Sequence, residues 1–161
     1  MKLVPYREED LDLTATLETD PRVMSHLGGP ATPEGAWAVH QKRLASEGGR
    51  YFTVFPDDAE RPVGLVAILR SVIDGEEVHD VGVMLLPEHQ GQRMSLAAGL
   101  AAIDLVRREG ELSRLHAFCG VNNLPSNALA SRAGFRLIGQ RDIEYEGRLL
   151  RCNHWVLDLS A

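Results

Sequence analysis

Cysteine is scarce in this 161-residue chain, which has only Cys119 and Cys152. They lie far apart with no C-x-x-C spacing, so a metal knuckle is disfavoured and at most one disulfide is open; two reduced thiols are the simpler expectation. His26, His40, His89 and His154 show no H-x-x-x-H or cysteine pairing, and no metal is expected. No apolar run approaches a membrane span, and Met1-Lys2-Leu3-Val4-Pro5 lacks the apolar core of a secretory signal, so a cytoplasmic protein with no membrane partner is expected. A basic excess is also missing. Seventeen Lys and Arg stand against 23 Asp and Glu, a net charge of −6, which repels nucleic acid and better suits a cationic ligand such as an amine. Neither G-x-x-x-x-G-K-[ST] nor G-x-G-x-x-G occurs, which removes the Walker and dinucleotide phosphate loops. No serine sits in G-x-S-x-G, so an acyl-enzyme hydrolase has little support. Repeats, low-complexity tracts and linkers are absent, and 44% hydrophobic content fits one domain over residues 1–161.

What is present reads as a mixed α and β pattern. Met1 to Tyr6 is strand-like, and Glu8-Glu9-Asp10 opens a helix carrying Leu11, Leu13 and Leu17. Val23, Met24 and Leu27 form a short turn ended by Gly28-Gly29-Pro30. Thr32 before Pro33 reads as N-cap before N1 of a helix through about Leu44. Tyr51 to Phe55, Pro62 to Val72 and Glu77 to Leu86 form an antiparallel meander, with turns at Pro56-Asp57-Asp58 and Asp74-Gly75. A helix from about Gln92 to Arg108 places Leu96, Leu100 and Ile103 on one face, with alanines and Gly99 allowing close approach to a sheet. Leu115 to Val121 is a strand and Asn123 to Ala133 a helix, with Gly134 as its left-handed cap. Ile143 to Tyr145 and Leu149 to Leu159 flank a Glu146-Gly147 hairpin.

The most informative stretch runs from Val83 to Val106. An apolar strand breaks at Pro87, passes through H-Q-G-Q-R-M-S and opens a helix, whose unpaired N–H groups and partial positive charge make an anion seat. Gln90-Gly91-Gln92-Arg93-Met94-Ser95 there resembles the pyrophosphate loop [QR]-x-x-G-x-[GA] of the GNAT superfamily of acetyl-CoA-dependent N-acetyltransferases. Downstream, Asn123-Leu124-Pro125-Ser126, then Gly134-Phe135 after the helix, is similar to that superfamily's N-x-x-[SA]-x(7)-G-F helix. Within it, D-P-R-V-M-S-H-L-G-G and I-E-Y-E-G-R-L-L-R resemble the branch of ribosomal-protein alanine N-acetyltransferases.

The resemblance implies an α+β fold with a splayed, mostly antiparallel sheet of six or seven strands flanked by helices, and acetyl-CoA as co-substrate. Val83, Met84 and Leu85 would line the cleft for the pantetheine arm, and residues 90–95 would wrap the pyrophosphate. Arg93 stands where a glycine is usual and Ser95 where glycine or alanine is usual. A helical Arg93, turned outward toward a phosphate, is the reading taken here. Asn123 serves as N-cap and as a contact to the arm. Ser126 would protonate the departing thiolate or bridge a water, since Ala130 occupies the place of the acidic tyrosine found in many relatives. Asp80 is the first candidate for general base, with Glu77, His79, His116, Asp142 and Glu144 as alternatives. The implied activity is direct transfer of acetyl to a primary amine, on a protein N-terminus or a small molecule, by a monomer or homodimer. The acceptor site would draw on Met24, His26, Leu27, Trp37 and the last hairpin. The competing expectation is a degenerate acyl-CoA-binding or regulatory module that keeps the fold without turnover.

Overall fold

The computed structural model describes residues 1–91 and 93–160. Its strands are β1 (Lys2–Pro5), β2 (Gly49–Phe55), β3 (Gly64–Ile73), β4 (Glu76–Leu85), β5 (Arg114–Gly120), β6 (Arg136–Tyr145) and β7 (Arg148–Asp158). The helices are α1 (Leu11–Thr19), α2 (Pro21–Met24), α3 (Pro33–Leu44), α4 (Met94–Glu109) and α5 (Leu124–Arg132).

Local chemistry sets most of these boundaries. Thr32 accepts from the Gly35 N–H ahead of Pro33 and so starts α3, while Asp20 does the same for α2 through Arg22. At the end of α5, Phe135 N–H bonds Ala130 C=O and Gly134 N–H bonds Ser131 C=O. With Gly134 at φ +95°, this pair of bonds is the Schellman termination, and the buried Phe135 folds back on Ala130. Positive φ at Asp74 and Gly75, and again at Glu146 and Gly147, gives each two-residue hairpin the twist its strands require.

Seven strands form one sheet in the order β1-β2-β3-β4-β5-β7-β6. All neighbours are antiparallel except β4 and β5. β6 is longer than its sequence suggests, because a bulge between Leu137 and Gly139 shifts the register and breaks the alternation that would have marked residues 136–142 as strand. β7 lies between β5 and β6, so the last hairpin inserts its second strand into the sheet.

The sheet has two dressed faces. Val54, Val66 and Leu85 pack with Ala98 and Ala102 of α4, with Val81 and Val83 against them. On the other face Leu65 packs with Leu13 and Leu17 of α1, with Met84 against them. Alternate β4 residues therefore point to opposite layers, as the period of a strand demands. α4 lies so close to the sheet that a Cβ on Gly99 would touch Val83 Cγ2 at 4.0 Å. No helix among the described residues is long and apolar enough to cross a membrane.

Candidate active site

Asp80 and His116 are the pair through which β4 and β5 meet. Beyond them the strands diverge, leaving the inner edge of residues 81–85 without a partner strand among the described residues. A cleft of about 770 Å³ opens there, lined by Val83, Met84, Leu85, Gln90, Gly91 and Ser95 from the β4 and α4 side and by Asn123 and Ser126 from the start of α5. Its other reach is lined by His26, Leu27, Tyr145 and Asp80. Backbone groups along an unpaired edge must find partners in water or ligand.

The cleft ends against the N-terminus of α4. Among the described residues no side chain caps the start of that 16-residue helix, and the first N–H groups of such a helix start are suited to an anion. Gly91 has φ +75° and nothing within 4 Å of where a Cβ would stand, which leaves room for close approach. Arg93 is not helical as expected. It adopts φ 62°, ψ 5° at the N-cap, the left-handed conformation a glycine takes freely, and an arginine there carries about 1–2 kcal/mol of strain. The reason is the sharp turn from the strand exit into α4, which the chain makes with the residue it has. Arg93 and Met94 do not line the cleft; Met94 packs against the core instead. Gln90 donates from Nε2 to Leu85 C=O at 3.1 Å, bracing the loop. Gln92, expected in the same loop, lies outside the described residues.

On the facing wall, Asn123 accepts from Ser126 N–H at 3.2 Å and caps α5. Its neighbour Asn127 was not singled out by sequence, yet it ties this wall together. Asn127 Nδ2 donates to Gly120 C=O at 2.9 Å and Asn123 C=O at 2.8 Å. Its Oδ1 accepts from Asn153 Nδ2 at 2.8 Å and Trp155 Nε1 at 2.9 Å. Every donor and acceptor of that amide is used. Cys119 and Cys152 are free and buried. Cys119 packs with the α4 and α5 layer, whereas Cys152 pairs in register with Gly120 rather than Cys119, so the two thiols point to opposite faces.

Asp80 is buried at 8% exposure. Burial pushes its carboxyl up to about 6, with the Ser71 hydroxyl, donating to Oδ1 at 2.7 Å, pulling the other way. Beside it His116 Nδ1 lies 2.7 Å from His154 Nε2, and Arg141 Nε donates to His154 Nδ1 at 3.2 Å. Arginine can only donate, so His154 carries its proton on Nε2 and gives it to His116 Nδ1, which leaves the His116 proton on Nε2. Both rings are held neutral: burial lowers His116, and burial followed by His116 lowers His154 to about 4.

Among the other base candidates, Glu144 lines the cleft. Asp142 pairs with Arg151 at 3.3 Å, and His79 lies 3.9 Å from Glu77, in a second pocket with His116. Met24 is 1% exposed and belongs to the core, and Trp37 stands over His40 at 5.6 Å; neither reaches the cleft. Sequence also missed a buried polar network beneath it. Arg43 Nη2 donates to Glu18 Oε1 at 2.6 Å and Nη1 to Thr14 at 2.8 Å. Tyr145 donates to the same Glu18 oxygen at 3.4 Å. Local sequence carries no signal for this, because its members come from α1, α3 and β6.

Comparisons with known proteins agree with this geometry. A family model described as an acetyltransferase (GNAT) domain matches residues 1–136. A ribosomal-protein-serine acetyltransferase of Escherichia coli strain K12 is 32% identical over 108 residues, 67% of this chain and 56% of that protein. The chain thus spans just over half the length of that relative. Among solved structures, a GNAT-family acetyltransferase from Bacillus anthracis superposes with TM-score 0.81 at 18% identity, over 99% of this chain and 95% of that one. Spermidine N-acetyltransferase from Vibrio cholerae, in complex with CoA and spermine, gives 0.79 at 21% identity, over 99% and 95%. A ribosomal L7/L12 alpha-N-protein acetyltransferase in complex with coenzyme A gives 0.77 at 20% identity, over 97% and 92%. At these identities the solved structures speak for the fold.

Proposed function

The chain belongs to the acetyltransferase (GNAT) domain family, and on that premise we propose that it transfers the acetyl group of acetyl-CoA to one primary amine, with a peptide N-terminus as acceptor. The observation that carries this reading is the buried carboxylate at the vertex of an open β4–β5 cleft whose far end is the uncapped start of α4. Gly91, Ser95 and the first turn of α4 suit the diphosphate, and residues 83–85 suit the arm. Acetyl-CoA, when bound, supplies an acyl group activated by a good leaving thiolate.

The chain's own residues do the rest. Asp80 accepts a proton from the acceptor ammonium, leaving the amine lone pair free to attack. N–H groups on the unpaired edge of β4 can donate to the oxygen on which negative charge develops. Ser126, on the opposite wall, is the hydroxyl available to the departing sulfur. Asn123 holds that wall as cap of α5.

The α-amine reading rests on two features. A carboxyl near 6 lies about 2 units below a peptide α-ammonium but about 4 below an alkylammonium, and each unit is ~1.36 kcal/mol of proton-transfer work. Of the cations lining the cleft, Arg22, Lys42 and Arg43 are each paired with a carboxylate, Asp20, Glu146 and Glu18, which leaves Arg70 against Glu47, Asp80 and Glu144, a small acidic excess that suits a compact ammonium acceptor. The test is thiol release from acetyl-CoA with a peptide panel varied at the first residue, run beside spermidine and with Asp80→Asn. Peptide-dependent release that rises as pH passes about 6 and is lost in Asp80→Asn is expected. Acetyl-CoA binding with no release on any amine would replace the enzyme by a binding module, and preference for spermidine would overturn the acceptor assignment.

A further inference from the structure

Ser71 was not marked by any motif, yet the hairpin delivers it to the lining of the cleft. The Asp74-Gly75 turn pairs Ile73 with Glu76, Ser71 with Val78 and Leu69 with Asp80. Ser71 is therefore the diagonal neighbour of Asp80 on the same face, and a one-residue slip would turn it to the α4 layer. Its hydroxyl donates to Asp80 Oδ1 at 2.7 Å, and Ser71 itself lines the cleft.

We propose that Ser71 is a positioning residue for the general base: its hydroxyl occupies one oxygen of the Asp80 carboxylate, fixes the plane of the group and leaves the other oxygen to take the proton from the acceptor ammonium. This rests on the reading of Asp80 as base. The proton balance is simple: the ammonium N–H bond breaks, the Asp80 O–H bond forms, and Ser71 keeps its own proton. A hydroxyl that donates to the carboxylate stabilises the charged form, so its loss raises the carboxyl further. Other titratable and charged groups face Asp80 from three further strands. β5 presents His116, β7 presents His154 behind it and β6 presents Arg141, whose other bond is to Asp74 of the turn at 3.1 Å. Burial holds both rings below the ordinary histidine range, and the carboxyl's own titration is what assigns the acidic limb of the rate profile to Asp80.

The experiment compares wild type, Ser71→Ala, Ser71→Thr and Asp80→Asn by the pH profile of kcat/KM for the amine, with acetyl-CoA KM measured alongside. A carbon NMR titration of the Asp80 carboxyl is added as a readout independent of turnover. Ser71→Ala is expected to move the acidic limb and the NMR midpoint upward by about one pH unit, lowering the rate at neutral pH and regaining it in alkali, with acetyl-CoA KM unchanged. Ser71→Thr, which keeps the hydroxyl, restores both. Superimposable profiles for Ser71→Ala and wild type, with Asp80→Asn inactive, overturn the role of Ser71 and leave the base intact. Full activity in Asp80→Asn removes the base and the positioning claim together. Should Ser71→Ala fail to fold, an unshifted NMR midpoint and profile in Ser71→Cys, a far weaker donor, overturns the proposal equally.

Discussion

Replacing Arg43 by Met should be among the most damaging conservative-volume changes in this fold. Arg43 and Glu18 are 5% and 1% exposed, and their contact at 2.6 Å is joined by Thr14, itself 2.6 Å from the Tyr6 hydroxyl, which in turn lies 2.6 Å from His40 Nδ1. Methionine fills much of the space but leaves Glu18 facing only the Tyr145 hydroxyl. Removing one partner of a buried pair costs about 3–5 kcal/mol. At roughly 3 °C per kcal/mol for a chain of this size, the midpoint should fall by about 9–15 °C. Burial already holds Glu18 above its ordinary carboxylate range, against the pull of Arg43, and without Arg43 it rises further. A raised folded pKa means stability that is present below the unfolded value and lost as pH rises through the folded one. The deficit of Arg43→Met should therefore narrow between pH 7 and pH 5. The double variant Glu18→Met, Arg43→Met removes the stranded charge and should recover most of the loss. Urea unfolding by circular dichroism at both pH values measures all of this. A deficit below about 1 kcal/mol, or a double variant no better than the single, would refute the reasoning.

Arg93→Gly trades about 1–2 kcal/mol of left-handed strain for about 0.5–1 of glycine chain entropy, so its melting midpoint should rise by up to about 4.5 °C; Arg93→Val, branched at Cβ, should fall, and a Val variant as stable as wild type would contradict the φ of 62°. A Cβ at Gly82 would meet nothing within 4 Å, so Gly82→Leu should fold normally while filling the floor beside Asp80; kcat/KM for the amine should drop about tenfold or more, equivalent to ~1.4 kcal/mol, and unchanged steady-state kinetics would show that the acceptor does not pass there. Asn127→Leu strands the Trp155 N–H and the Asn153 Nδ2 group, and should cost about 2–3 kcal/mol by urea unfolding, with a loss under half that meaning water takes over its bonds.

What the sequence discloses here divides by range. Thr32-Pro33, Asn123 and Gly134 could be read directly because a cap is settled within a few residues, and both hairpins announced themselves by Asp-Gly and Glu-Gly pairs. The strand, turn and helix start that lead into α4 were legible for the same reason. Insertion of β7 between β5 and β6, and the network of Tyr6, Thr14, Glu18, His40 and Arg43, were not, since their partners lie far apart in the chain. Arg93 defied its own propensity: nothing in an arginine signals positive φ, and the turn around it imposes one. Ser71 is an intermediate case. Writing out the register from Asp74-Gly75 would have placed it diagonal to Asp80, so the signal existed but required pairing two strands rather than reading one.

The single meeting of β4 with β5 makes the sheet two plates, β1 to β4 and β5 to β7, with a seam between them. Fluctuations should concentrate there, so amides along that edge of β4 should exchange with solvent before those locked between β3 and β4. A ligand laid into the seam closes it as a withheld strand would, and at a hundredfold excess over its Kd adds about 2.7 kcal/mol to folding. That increment is large beside the margin by which most domains stay folded. If that ligand is the coenzyme, as proposed above, the amount of intact protein surviving degradation in a cell would follow the supply of the same metabolite that the proposed reaction consumes.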